Sequence, residues 1–466
     1  MPRIRVHPRS HSGDSRPSHI PAGDGREGEG RRATDVIGLA FFFLLVCAPT
    51  TYRAPKAAFL VVVLALLALR LWRTKTLGVH PAVLGRALLF SAVGLAFVLL
   101  GSIRGNPGAL PMMPVFAFWP LVYTLLLGGL DERRRLMAIL AALVAALLAI
   151  EVYAYLYLLD AAGALPVPLY VPLDLGQGVS ENFREFTINP LASIVFLLPF
   201  AIGALLIWPR GAHGPIRRGW LWLAVALSGP LVILSGRKGF WLALAVSSVV
   251  ALILRRWLVG GGWEPMRWRR SLTTVLPITA FALLIAQWTV GLTAPELWNY
   301  FVGGFDFSTG DAGLGRSLQF EALWSGWSNS PLIGQGLGAV APDVIRSSEQ
   351  PWAYELSYVA LLFTTGVVGV TAYAYGIAWI FRQAGTMIRE HSEWSPTLLA
   401  LLVGMTGMLV ANFTNPYLAK FDLLWTIFLP IGVINHWLLH RDEPVAHAPV
   451  PNVPDAPSHV SRPVSR

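Results

Sequence analysis

Residues 136–159 read LMAILAALVAALLAIEVYAYLYLL, with one carboxylate (Glu151) and no basic residue, immediately after Arg133, Arg134 and Arg135. Coiled as a helix, such a stretch is ~36 Å long, enough to cross a hydrocarbon core of ~30 Å. The same reading recurs along the chain. Twelve apolar blocks lie at about 36–50, 57–72, 83–103, 112–130, 136–159, 190–208, 220–235, 239–258, 271–293, 355–381, 397–413 and 421–440. The first is short, so eleven spans is the alternative count. Helix is the expected form, because backbone polar groups find no water to bond in lipid. The expected fold is therefore all-α and polytopic, with about twelve transmembrane helices.

Composition agrees. Of 466 residues, 55% are hydrophobic and 13% charged, about half the ~25% charged residues of soluble domains. A soluble enzyme, a secreted disulfide scaffold and a disordered protein are excluded. The single cysteine, Cys47, leaves no intrachain disulfide to form. Residues 1–34, rich in Pro, Arg, Gly, Ser and His, lack apolar periodicity and the pattern of a signal peptide. They and the Pro-rich residues 441–466 are expected to be disordered tails flanking a membrane domain over 35–440. No inverted repeat of the transporter kind is visible.

Lysine and arginine set the expected orientation. With both tails cytoplasmic, the inner loops are 70–86, 131–135, 209–219, 255–270 and 382–396. Loops and tails together hold 27 of the 36 basic residues. Nine remain outside: Arg53, Lys56, Arg104, Arg184, Arg237, Lys238, Arg316, Arg346 and Lys420. The net charge of +10 is on this reading a topogenic signal. Nucleic acid is not an expected partner, since no outer basic patch has interleaved aromatics.

Two outer segments, 160–189 and 294–354, are too long to be simple connectors. The second holds Trp298, Tyr300, Phe301, Phe305, Phe307, Phe320, Trp324 and Trp327. From Arg316, the spacing of Phe320, Leu323, Trp324 and Trp327 predicts an amphipathic helix lying at the membrane–water interface. Ser330-Pro331 ends it, and Gly334, Gly336 and Gly338 turn the chain back.

Signatures of soluble enzymes are absent: no Walker A loop, no His-Glu-x-x-His, no Cys-x-x-Cys, and no Asp-x-Asp to hold a nucleotide-sugar's metal. No metal or cofactor is expected. What remains is the set of outer cations and carboxylates. Arg237 and Lys238 occupy the turn Ser235-Gly236-Arg237-Lys238-Gly239, against the positive-inside bias, and a cation kept there calls for an anionic partner. The plain alternative is a pair that snorkels to lipid phosphate. Arg316, after Gly313-Leu314-Gly315, is expected at a helix start, where free N–H groups suit phosphate. The alternative is a solvated helix-end arginine. Arg184 serves either a ligand or a simple pairing with Glu181 or Glu185. Glu355, in Trp352-Ala353-Tyr354-Glu355-Leu356-Ser357-Tyr358, is expected in the first turn of the tenth block, either as a base or as a simple N-terminal charge. All ten histidines fall in tails, inner loops or the inner half of the last helix. An outer proton transfer must therefore use a carboxylate, Glu355 first, with Asp306, Asp311, Glu321 and Asp343 as lesser candidates.

These residues stand in a recognisable order. Leu234-Ser235-Gly236-Arg237-Lys238-Gly239-Phe240-Trp241 is followed by Gly315-Arg316, by Pro331-Leu332-Ile333-Gly334-Gln335-Gly336-Leu337-Gly338, and by Glu355-Leu356-Ser357-Tyr358 ending in Gly366-Val367-Val368-Gly369. The pattern, over roughly 180–440, resembles the O-antigen ligase and O-antigen polymerase superfamily of bacterial inner-membrane glycosyltransferases. Asn189-Pro190 after Arg184 is similar to a further family feature. The resemblance implies transfer or polymerisation of an undecaprenyl-diphosphate-linked oligosaccharide at the periplasmic face, without metal or nucleotide. It implies a glycan or lipid A-core acceptor, membrane lipids around the helices, and a chain-length regulator as partner. Arg237 and Arg316 would hold the diphosphate, with Glu355 as base and Lys238, Arg184, Trp324 and Tyr354 binding substrate. Ligases that use lipid A-core typically carry a histidine near where Tyr354-Glu355 stands. Its absence favours a repeat-unit polymerase, or a ligase with another acceptor. A lipid-linked oligosaccharide flippase is the alternative of another class, but such proteins usually carry mid-membrane charges or broken helices, and Glu151 is the one acidic residue well inside a block.

Overall fold

The computed structural model describes residues 25–130, 132–161, 173, 175–176, 178–179, 186–208, 216–235, 237–259, 295, 311–342, 344 and 348–441. The expected block at 271–293, Arg184, Asp306, Asp343 and the aromatics from Trp298 to Phe307 lie outside them, as do the side chains of Lys238 and Asp311.

The described chain is almost wholly helical. Its elements are α1 (Gly25–Cys47), α2 (Arg53–Thr74), α3 (Pro81–Ile103), α4 (Ala109–Met113), α5 (Trp119–Leu127), α6 (Arg133–Ala161), α7 (Leu191–Ile207), α8 (Arg218–Leu234), α9 (Lys238–Val259), α10 (Asp311–Ser328), α11 (Ser357–Arg389), α12 (Ser395–Ala411) and α13 (Trp425–His440). Two short strands, β1 (Gly178–Val179) and β2 (Phe186–Thr187), pair antiparallel before α7. Six helices among the described residues are long and apolar enough to cross a membrane: Arg53–Thr74, Pro81–Ile103, Ala109–Leu130, Arg133–Ala161, Gly239–Trp257 and Ser357–Arg389. Three shorter apolar helices accompany them.

The packing follows from which helices are apolar all round. Nearly every residue of α7 and most of α12 are buried, and these two pack on each other and on α9 to form the centre of the bundle. A helix without a polar face belongs in such a place. By contrast, α2 and α3 leave Val61, Leu69, Leu88 and Leu99 exposed, as expected of surfaces that face lipid. Pro114, which lacks an N–H, interrupts the span over 109–130. The chain answers with one π turn, Pro114–Phe118, in which the Trp119 N–H donates to the Pro114 carbonyl.

α1 begins at Gly25, ten residues before the expected edge of the disordered tail. The stretch Gly25–Arg32 contains no proline and five good helix formers, Arg26, Glu27, Glu29, Arg31 and Arg32, so a helix nucleated on the apolar block extends back through it. Likewise α10 starts at Asp311, five residues before Arg316.

The feature that organises the α10 end of the bundle is a break in α11. Gly366 has φ 61° and ψ −170°, so the helix stops and restarts there. A break strands backbone donors and acceptors that an apolar setting cannot satisfy. Residues 331–336 supply the missing partners. Gln335 and Gly336 N–H donate to the Phe363 and Thr364 carbonyls at 2.8 Å, and the Val367 and Val368 N–H donate to the Pro331 and Leu332 carbonyls at 3.0 Å. The loop is also tied to the end of α3. Arg104 Nη1 donates to the Gly334 carbonyl at 2.6 Å, Asn106 Nδ2 to the Gln335 carbonyl at 2.8 Å, and Leu337 N–H to the Phe97 carbonyl at 3.0 Å. The two glycine motifs of the sequence are thus the two halves of one interlock.

Glycine is required at its centre. A Cβ on Gly366 would sit 2.3 Å from the Leu332 carbonyl oxygen, on a residue already at positive φ. Gly366→Ala is therefore expected to cost about 2–4 kcal/mol, from strain and displaced backbone, and to lower the thermal midpoint in detergent by several degrees. Gly85→Ala, in α3 with nothing near its Cβ position, is expected to match or exceed wild type. Equal midpoints for the two variants would contradict the interlock.

Candidate functional site

α10 and the chain leading into α11 are held together by a small core of Leu323, Ala339, Ala341, Tyr354, Leu356 and Phe363. On the buried side of α10, Gln319 is 5% exposed, and its Oε1 accepts the Glu355 N–H at 2.8 Å. The Tyr354 hydroxyl accepts the Ala341 N–H at 2.5 Å, and its ring meets Phe363 edge-on. With the backbone of 354–355 pinned from both sides, the Glu355 carboxylate faces Arg316, one turn before Gln319 on α10. Arg316 Nε donates to Glu355 Oε2 at 2.9 Å, with side chains 27% and 23% exposed. The structure thus joins the leading candidate base to a leading candidate phosphate ligand across 39 positions of sequence. A charge-assisted bond of this kind orients the guanidinium plane. Such a fork suits phosphate oxygens.

Several expectations change. Arg316 is the sixth residue of α10 and not its start. The unpaired N–H groups of a helix belong to its first turn, so Arg316 acts through its side chain. Glu355 precedes α11, whose cap is Leu356, so it is a loop carboxylate fixed by Gln319 and not a first-turn residue. Tyr354 is 2% exposed, and its hydroxyl is spent on Ala341. Burial pushes that phenol above its ordinary value, with the Ala341 amide offsetting part of the rise. Trp324 is 46% exposed and stacked on Phe320 at 5.6 Å between centroids, with Trp327 at 4.6 Å. It lies on the outside of α10, while Leu323 takes the inward position.

Arg237 belongs to a second group of residues, just before α9. The tight turn before α9 is closed by the Ser235 hydroxyl, which donates to the Val232 carbonyl at 2.7 Å. Arg237 then lies beside the buried Tyr417 hydroxyl, close but without a well-formed hydrogen bond. Burial raises the Tyr417 phenol above its ordinary range and the guanidinium lowers it in part. The start of α11 meets the end of α12 through Tyr358, whose hydroxyl donates to the Leu409 carbonyl at 2.6 Å and whose ring touches Phe413.

The spacing of the sequence did not single out Gln319, Tyr417 or Asn106. Nor did it pair Lys56 with Asp422, whose ion pair of 2.9 Å is buried, its side chains 1% and 2% exposed. A polar residue inside an otherwise apolar face, as Gln319 is on α10, is the signal that would have pointed to the first.

The Arg316–Glu355 pair is partly solvated, so its contribution to stability is small, about 1 kcal/mol. A double-mutant cycle with Arg316→Ala and Glu355→Ala is expected to yield that coupling in thermal or denaturant unfolding. Strict additivity would remove the pair from the account. No protein-family model matches the chain, and comparison with curated proteins gives no match.

Proposed function

We propose that the chain is a metal-independent glycosyltransferase of the bacterial inner membrane, acting at its periplasmic face on an undecaprenyl-diphosphate-linked oligosaccharide as a repeat-unit polymerase. The observation that carries this reading is the Arg316–Glu355 pair, a guanidinium and a carboxylate held 2.9 Å apart at one end of a bundle of membrane-length helices. On this reading about twelve helices span the bilayer, both termini are cytoplasmic, and a chain-length regulator acts alongside.

The chemistry needs what the site contains. The donor's anomeric carbon–oxygen bond to diphosphate breaks, and a bond from that carbon to the acceptor hydroxyl oxygen forms. The leaving group is the lipid diphosphate anion. Arg316 and Arg237 stabilise the charge that develops on its bridging oxygen. In the resting pair the guanidinium occupies the carboxylate. An arriving diphosphate competes for Arg316 and releases Glu355 to accept the acceptor's proton. On this reading Trp324, with Phe320, rests against the membrane interface. The sugar–phosphate bond supplies the driving force, so neither ATP nor a nucleotide-sugar enters.

A ligase that transfers glycan to lipid A-core, or to another acceptor, uses the same donor chemistry and is the alternative. A flippase is less well supported. Its usual broken helix has a counterpart here at Gly366, but the backbone groups at that break are bonded to residues 331–336.

Purified protein is expected to lengthen an undecaprenyl-diphosphate-linked repeat unit in detergent with chelator present and ATP absent. Arg316→Ala, Arg237→Ala and Glu355→Gln are each expected to lower that rate roughly 10²–10⁴-fold while inserting normally. Wild-type glycan ladders from any of the three would overturn the residue's role, and from both arginine variants the reading itself.

A further inference from the structure

Where α2 ends and α6 begins, three arginines and one carboxylate, Arg70, Arg134, Arg135 and Asp35, line one end of a cavity of about 390 Å³. The volume is typical of small-ligand sites. Its remaining walls are apolar and come from α1, α2, α5, α6 and the start of α13, with Phe41, Val63 and Leu126 among them. Val63 and Arg70 both line it from α2, so the apolar part runs along ~10 Å of helix. Val36, 66% exposed, lines it too, which opens the cavity on the flank of the bundle. Gly38 keeps it open, since a Cβ there would meet nothing within 4 Å.

The charged residues at its end do different things. Arg135 is used within the protein: its guanidinium lies 2.7 Å from Asp35 and 3.5 Å from Glu132, and Nη1 donates to the Gly129 carbonyl at 3.2 Å. Arg70 Nη1 donates to the Gly128 carbonyl at 3.0 Å. Both bonds serve carbonyls that the end of a helix leaves open, and they tie α2 and α6 to the end of α5. Arg133 pairs with Glu393 and lies over the Trp394 ring, and it does not line the cavity. Arg134 is exposed and lines it, and among the described residues its guanidinium has neither an ion pair nor a hydrogen bond. A cation thus adjoins an apolar channel that opens sideways. On the orientation expected from lysine and arginine, this end is cytoplasmic.

We propose that the cavity holds an anionic phospholipid of the cytoplasmic leaflet, its phosphate on Arg134 and one acyl chain along the α1 and α2 walls. Basic pockets between transmembrane helices on this side suit such headgroups. A soluble phosphate gains the arginine but leaves the channel empty, and a zwitterionic lipid fills the channel but brings its own cation to the arginines. The anionic amphiphile satisfies both parts. The proposal goes beyond the glycosyltransferase reading and does not rest on it.

The test is native mass spectrometry of the full-length protein in detergent, with phosphatidylglycerol as probe and phosphatidylcholine and inorganic phosphate as competitors. Wild type is expected to retain the probe in preference to phosphatidylcholine, with inorganic phosphate displacing it poorly. Arg134→Gln is expected to weaken retention roughly three- to tenfold. Gly38→Phe, which fills the channel without a change of charge, is expected to weaken it at least as much. Arg133→Ala removes the same charge one residue away and is expected to bind as wild type does. Undiminished binding in Arg134→Gln would remove the headgroup contact, and undiminished binding in Gly38→Phe the channel; either result overturns the proposal. Equal weakening by Arg133→Ala and Arg134→Gln, no preference over phosphatidylcholine, or ready displacement by inorganic phosphate would overturn it as well.

Discussion

A backbone carbonyl or amide without a partner in an apolar setting costs several kcal/mol, and this constraint governs the structure around Gly366. The break in α11 is tolerated because the Pro331–Gly336 loop bonds to both sides of it. The loop in turn is fixed by Arg104 and Asn106 at the end of α3. α10, immediately before that loop, is thereby held against the start of α11. Arg316 and Glu355 are close because a backbone problem elsewhere has one solution.

The same logic separates the roles of the charged groups. Lys56 and Asp422 are buried, mutually paired and bonded to backbone, the arrangement that keeps an ion pair inside a protein tolerable. They serve as a fastener. Arg316 and Glu355 are paired but partly open, so an anionic ligand can compete for the guanidinium. Arg237, beside Tyr417, immediately precedes α9. Position and solvation, more than residue type, distinguish the buried ion pair from the one proposed to meet substrate.

Much of the fold was legible in sequence because a membrane-length helix is a local property. The block at 136–159 lies within α6, the one at 57–72 within α2, and no distant contact was needed to see either. Helix edges were less legible. α1 runs back to Gly25 and α10 to Asp311, through Gly28 and Gly30 in the first and Gly313 and Gly315 in the second, residues whose low helix propensity points to an edge. Glu355 falls outside α11, whose cap is Leu356, and its N–H bonds to Gln319, 36 residues away in sequence. Gly334, Gly336 and Gly366 were visible as turn signals. That they answer one another depends on where a helix breaks, and no periodicity reports that. The Lys56–Asp422 pair spans 366 positions and leaves no local trace.

The account depends on the α10 end of the bundle facing away from the cytoplasm. Ser325, exposed on α10 and outside the ion pair, and Thr76, exposed between α2 and α3, mark the two ends. With Cys47 replaced by alanine, Ser325→Cys and Thr76→Cys can each be treated with a membrane-impermeant maleimide on intact spheroplasts. The account predicts labelling at position 325 at once and at position 76 only after the membrane is opened. The reverse order would place Arg316 and Glu355 on the cytoplasmic side and contradict the central claim.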